Sequence, residues 1–251
     1  MPIRSWAPTL SELEGLIRRS NSTQALVQRQ IEEEILSLVA LPEARLAELD
    51  QQWRSEQGLT DDDAVTDWLA ERGWQPDDLT LHLARPEALR RFGEQRFGPG
   101  LEEEFLRRKN ELDQVIYSLL RVKEQGLGRE LWIQLSEGEI SFAEAASRYS
   151  DGPEASTKGV IGPIAMGTLQ PELAERLRSL QPGELRPPEA LGPWWLLLRL
   201  EHYTPARFDA SMRQRLLDDQ LTSWLHQRAE HRLCGETAEP LHYDRELEPS
   251  S

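Results

Sequence analysis

The stretch from Phe142 to Glu184 constrains the fold more than any other part of the chain, because helix and turn signals alternate there in a fixed order. Ser141 followed by Glu144 predicts a capping box at a helix start. Gly152-Pro153 and Pro182-Gly183 predict helix ends, and Pro171 predicts a helix start at its first position. Val160-Ile161, between Gly159 and Gly162, predicts a brief strand.

Apolar, β-prone segments lie on both sides of that stretch. Val115 to Val122 predicts a first strand, and Leu191 to Glu201 predicts a last strand. The run Trp194 to Leu198 is apolar without alternation, as expected of a strand that is covered on both faces. Residues 114–203 are therefore predicted to form a small unit of strands and helices.

The two ends of the chain carry mainly helical patterns. Residues 1–113 predict short helices, with Thr60 capping one of them ahead of three aspartates and Pro86 opening another. Asp209 is expected to cap a long helix within residues 204–236, whose apolar stripe requires a partner among the N-terminal helices. Residues 237–251 are polar and are expected to form a flexible tail.

Composition narrows the classes of partner. The net charge of −15 disfavours nucleic acid, because binding a duplex requires a basic surface. The single cysteine, Cys234, excludes a disulfide within the chain. No segment approaches the roughly 20 apolar residues of a membrane span, and no signal peptide is evident, so a cytoplasmic protein is expected. Scattered histidines and adjacent aspartates predict neither a metal site nor a cofactor.

The order of elements across residues 114–203 resembles the parvulin-type peptidyl-prolyl cis-trans isomerases. The flanking helices resemble those of the SurA and PrsA foldases, in which helices from both ends of the chain build a chaperone region. The positions that carry the parvulin resemblance are Phe142, Glu144, Ala146, Tyr149, Ser150, Gly159, Gly162, Pro171, Glu172, Leu173, Pro182, Gly183 and Glu184.

The resemblance implies a peptide-binding site but assigns no catalytic residue. Positions that are polar in catalytic relatives fall on Leu119, Val160 and Trp195 in this chain. The apolar pocket for a prolyl ring falls on Leu169 and Leu173. The implied peptide-binding positions together are Ser118, Leu119, Val160, Met166, Thr168, Leu169, Leu173 and Trp195.

We therefore expect an α+β protein, with a helical N-terminal module and C-terminal helix into which a parvulin-like domain with a small mixed sheet is inserted. The function implied by the resemblance is that of a foldase, a peptidyl-prolyl isomerase acting on unfolded or Pro-containing chains. One alternative is a non-catalytic chaperone or adaptor that uses the same cleft to hold a peptide. Another is a purely structural helical protein.

Overall fold

The computed structural model describes residues 9–245, and the chain divides into two compact units. The helical unit combines the chain up to Glu102 with the part from Asp209 onward, and the inserted unit runs from Glu103 to Phe208. The boundaries expected after residues 113 and 203 lie inside the inserted unit. The Phe105 ring packs on the Phe208 ring, with their centres 5.4 Å apart, so residues beyond each expected boundary belong to the inserted unit.

The secondary structure confirms the α+β prediction. From residue 9 onward, the helices that precede the inserted unit are α1 Leu10–Arg19, α2 Thr23–Val39, α3 Glu43–Gln57, α4 Asp62–Arg72 and α5 Pro76–Phe97. The chain then forms α6 Leu101–Leu112, β1 Gln114–Val122, α7 Gln125–Glu137, α8 Phe142–Tyr149, β2 Val160–Ala165, α9 Pro171–Arg178, β3 Glu189–Leu191 and β4 Trp194–Thr204. The last helix, α10, is Ala210–Leu233. None of the helices within residues 9–245 has the length and apolar character of a bilayer-spanning segment.

Helix α10 packs on the N-terminal helices, as its apolar stripe predicts. Leu225 and Ala229 are buried in a cluster with residues of α2 and α5, including Ile35 and Phe92. Asp209 caps α10 by accepting a hydrogen bond from the Met212 amide at 2.8 Å.

The segment after α10 is not a free tail over residues 237–245. Leu241 and Tyr243 pack against the same apolar cluster as α10. The Gln95 side chain donates to the Asp244 carbonyl at 2.6 Å and accepts from the Asp244 amide at 2.8 Å. The sequence-based prediction of a flexible tail did not anticipate these contacts, which two apolar side chains in a polar stretch provide. Residues 246–251 lie outside the described part of the chain.

Two local predictions in the helical unit require correction. The cap of α4 is Asp61 and not Thr60, because the Asp61 carboxylate accepts from the Ala64 amide at 2.8 Å. Pro86 lies inside α5 and does not begin a helix. The flanking residues Leu79 and Phe92 are buried on the same helix, so tertiary packing holds α5 continuous across the proline.

The inserted unit is built on a four-stranded sheet in the order β2-β1-β4-β3. All pairings are antiparallel, so the expected mixed sheet is wrong: β2 and β4 both run opposite to the central β1. Leu191 belongs to the short edge strand β3, since the chain turns at Gly192, where φ is +59°. Helices α7 and α8 cover one face of the sheet, and α9 covers the other.

Candidate functional site

The α9 face of the sheet is the surface on which the predicted peptide site falls. Side chains alternate between the faces of a strand, so Tyr117, Leu119 and Arg121 of β1 share this face. The register pairs Arg121 with Leu196 and Leu119 with Leu198. Leu173 and Leu177 of α9 pack on these strands and close the apolar cluster.

The pocket residues predicted from the sequence differ in how deeply they are buried on the α9 face. Leu119, Met166 and Leu173 are buried in its core, with exposed fractions of 4%, 1% and 9%. Leu169 is half-buried, and Thr168 is exposed and donates its hydroxyl to the Ala165 carbonyl at 2.7 Å. The buried members therefore support the surface from below, and an incoming chain meets other side chains first.

Half-buried apolar side chains surround that core on the α9 face. They come from β2, the segment before α9, and the β3–β4 hairpin, and we call them the rim: Ile161, Ile164, Leu169, Leu191 and Trp194. The Lys123 amino group lies 5.7 Å from the centre of the Trp194 ring. The rim is thus an apolar surface with an aromatic side chain at its β4 end.

Three predicted site residues lie on the opposite face of the sheet. Ser118 donates its hydroxyl to Glu201, and Trp195 packs in the cluster beneath α7 and α8. Val160 pairs with Ser118 and alternates with Ile161, and its side chain is 45% exposed. In β4 the residue on the α9 face is Leu196, because a shift of one position moves a side chain to the other face.

A buried ion pair on the α9 face was not found by sequence reasoning. The Arg121 Nε donates to Glu154 Oε1 at 2.9 Å, and the Glu154 side chain is 1% exposed. The Ser150 hydroxyl donates to the same carboxylate oxygen at 2.5 Å and accepts from the Arg121 amide at 3.1 Å. The signal in the sequence was a charged side chain inside a predominantly apolar strand.

Tyr117 is the other polar side chain of β1 on the α9 face. Burial raises the pKa of its phenol, and Arg121 and Glu154 act on that pKa with opposite signs. The phenol is therefore neutral at ordinary pH. His202 of β4 pairs with Ile116 near the start of β1, and its side chain is exposed.

Hydrogen bonding and apolar contact are the chemistry that these groups supply. Within residues 9–245, no cluster of acidic, histidine or cysteine side chains has the arrangement of a metal site. The α9 face offers an apolar rim and a guanidinium held by a buried carboxylate. Such a surface can bind a polypeptide segment and change the free energy of a bond rotation without forming a covalent bond.

The helical unit contains concave surfaces of its own. A cavity of about 490 Å³ lies among α3, α4 and α5. Its apolar lining includes Leu46, Val65, Leu69, Leu79 and Leu83, and its polar lining includes Glu43, Asp50, Arg54 and Asp62.

Comparison with known proteins finds similarity for most of the inserted unit. The family model for the PPIC-type peptidyl-prolyl isomerase domain, or rotamase, matches residues 123–202. Chaperone SurA of Nitrosococcus oceani is 29% identical over 130 residues, which covers 45% of this chain and 30% of that protein. The fold is similar to the peptidylprolyl isomerase PrsA of Bacillus anthracis, with a TM-score of 0.50 and 16% identity, over 86% of this chain and 100% of that one.

Most of the inserted unit therefore matches the PPIC-type domain model, and the chain has a fold similar to that of PrsA. The matched range begins at Lys123, immediately after β1. Strand β1, which supplies Leu119 and Arg121, lies outside the matched range. The match with SurA spans less than a third of that protein's length.

Proposed function

We propose that this protein is a foldase that binds unfolded or Pro-containing polypeptide segments on the rim and accelerates rotation about their Xaa-Pro bonds. The observation that carries the proposal is the half-buried apolar rim on the α9 face of a PPIC-type domain. The net charge of −15 supports a polypeptide client over nucleic acid.

The energetics of the reaction are within reach of such a surface. Rotation about a prolyl bond faces a barrier of about 20 kcal/mol, which arises from amide resonance. An acceleration of about a thousand-fold requires stabilising the twisted bond by only about 4 kcal/mol relative to the planar one. Removing water from the bond and placing one hydrogen-bond donor beside it are sufficient in magnitude.

A second candidate function is that of a chaperone that holds the same segments without isomerising them. The observation that favours it is that Leu119 of β1 and Leu196 of β4, both on the α9 face, are apolar and buried. The two functions share the binding surface and differ in turnover.

One experiment tests the binding surface and separates the two functions. Full-length protein is assayed with a blocked Ala-Ala-Pro-Phe peptide, by exchange NMR for cis-trans interconversion and by titration for Kd. Leu169→Glu should weaken binding by about ten-fold or more, because a charge replaces an apolar contact. Leu106→Glu, at a position 66% exposed on α6, is the matched control and should change neither quantity.

The outcomes are distinct. Interconversion that is faster with wild-type protein and lost in Leu169→Glu supports the foldase. Binding without faster interconversion supports the holding function. Equal Kd values for Leu169→Glu and wild type would contradict the rim as the binding surface.

We also propose that the protein acts in the cytoplasm. Its single cysteine, Cys234, is exposed and free, which suits a reducing compartment. Fractionation of cells that produce the full-length protein tests this proposal. Recovery in a membrane or extracytoplasmic fraction would contradict it.

A further inference from the structure

The Arg121 guanidinium lies where the α9 face is partly open to solvent. Its side chain is 27% exposed, whereas its partner Glu154 is 1% exposed. Leu119, on the same face of β1, is buried, and Leu196 of β4 lies directly opposite Arg121. Trp194 of the rim is the diagonal neighbour of Arg121 across the two strands, a separation that long side chains bridge.

Arg121 keeps hydrogen-bond donors available. Only its Nε bonds to Glu154, and its two terminal amino groups have no partner within residues 9–245. The carboxylate compensates the charge of the guanidinium without occupying these donors. The site therefore offers directed N–H groups with little net charge, which suits a neutral acceptor on a peptide better than an anion.

The loop after α8 fixes the guanidinium in place. Ser150 bridges the Glu154 carboxylate and the Arg121 amide, and the Asp151 amide donates to the Arg121 carbonyl at 3.0 Å. A Cβ on Gly152 would lie 2.3 Å from Glu154 Oε2 and 2.4 Å from Arg121 Nε, so a larger residue there would displace the pair from this arrangement. The donors are thus held before a peptide arrives, as preorganised electrostatic stabilisation requires.

The rotating bond provides an acceptor that the planar bond lacks. In a planar amide the nitrogen lone pair is delocalised into the carbonyl and accepts no hydrogen bond. Twisting the bond returns the lone pair to the prolyl nitrogen. A donor aimed at that nitrogen therefore binds the transition state and not the ground state, which raises kcat.

We propose that Arg121 is the catalytic hydrogen-bond donor of this domain and that it donates to the prolyl nitrogen as the Xaa-Pro bond twists. The inference rests on the proposed foldase function and deepens it. Glu154 and Ser150 act as positioning residues, and no proton is transferred and no covalent bond forms. Guanidinium groups stay protonated across the working range, so the rate should be independent of pH between about 6 and 9.

The test measures kcat/KM by exchange NMR and Kd by titration, with full-length protein and the blocked Ala-Ala-Pro-Phe peptide. Arg121→Leu should lower kcat/KM by about 100-fold while Kd changes by less than about three-fold, because the donor acts only in the transition state. Arg121→Lys should retain intermediate activity, since a lysine keeps the charge but loses the planar fork. Arg129→Leu, which removes an exposed arginine of α7, is the matched control.

The outcomes separate this inference from the proposed function. If wild type is active and Arg121→Leu and Arg121→Lys both lie within about three-fold of it, Arg121 is not the donor although the foldase stands. A rate that titrates between pH 6 and 9 would also overturn the inference. Wild type that binds the peptide without accelerating interconversion would overturn both catalysis and the role of Arg121. Far-UV circular dichroism and unchanged Kd identify variants that remain folded.

Discussion

At the scale of single residues, the ion pair of Arg121 and Glu154 ties strand β1 to the loop after α8. Glu154→Gln should lower the free energy of unfolding by about 2–4 kcal/mol, because it leaves Arg121 without its charged partner. Urea denaturation monitors the change. Glu139→Gln, at an exposed position in the same unit, is the control and should shift the value by less than about 0.5 kcal/mol. Equal effects of the two substitutions would show that the pair contributes little.

Tyr203 gives the inserted unit a specific dependence on alkaline pH. Burial, together with a hydrogen bond donated to Asp113, raises the pKa of its phenol to about 12 from an ordinary value of 10.0. The folded state therefore holds this proton more tightly than the unfolded chain does. The stabilisation is complete below pH 10 and is lost as the pH rises toward about 12.

Replacing Tyr203 should remove that dependence. Tyr203→Phe is expected to be less stable than wild type at neutral pH, with a difference that shrinks between about pH 10 and 12. Denaturation at a series of pH values provides the measurement. Tyr149→Phe, at a position 39% exposed, is the control and should follow the wild-type curve. A constant difference between Tyr203→Phe and wild type across this range would contradict the account.

Residue-scale features of the site were the hardest to predict from sequence. Leu119 and Leu173, which the parvulin resemblance implied for the site, both lie on the α9 face. Trp195 was misplaced by a single position, which in a strand is the difference between two faces. The pairing of Arg121 with Glu154 joins a strand to a loop 33 residues away, and no local pattern encodes such a contact.

At the scale of elements, α9 holds the α9 face together. Leu177 is 1% exposed and packs against β1 and β4. Leu177→Ala should lower the free energy of unfolding by about 2–5 kcal/mol, since the cavity left by the side chain cannot fully collapse. Leu106→Ala, at an exposed position on α6, is the control for differential scanning calorimetry. A loss below about 1 kcal/mol for Leu177→Ala would show that α9 is loosely attached.

Element starts were the best predicted features of the fold. The capping box of Ser141 and Glu144, the first-turn Pro171 and the cap Asp209 all lie where the sequence placed them, because capping depends on residues within one turn. The prediction that Pro86 begins a helix was wrong, because packing of α5 on both sides of the proline keeps the helix continuous. Strand β3 was missed because an edge strand of three residues carries too little pattern.

At the scale of the whole molecule, the helical unit is completed from both ends of the chain. Leu241 and Tyr243 pack on the cluster formed by α2, α5 and α10. The double substitution Leu241→Ala and Tyr243→Ala should lower the stability of this unit by about 2–4 kcal/mol through lost apolar burial. His242→Ala, at the exposed position between them, should have no comparable effect.

Hydrogen exchange resolves this prediction by region. Amides of α2 and α5 should exchange faster in the double variant, whereas amides of β1 and β4 should keep their protection. The two compact units are each expected to lose protection separately, as contiguous cooperative segments do. Unchanged exchange throughout α2 and α5 would mean that residues 237–245 are not needed for stability.

Chemical-shift mapping of the full-length protein with a Pro-containing peptide tests directly whether peptides bind the α9 face. We expect perturbations at Ile161, Leu169 and the Trp194 indole, and their loss in Leu169→Glu. Perturbations confined to the helical-unit cavity around Leu46 and Val65, or none at saturating peptide, would contradict a binding surface on the α9 face.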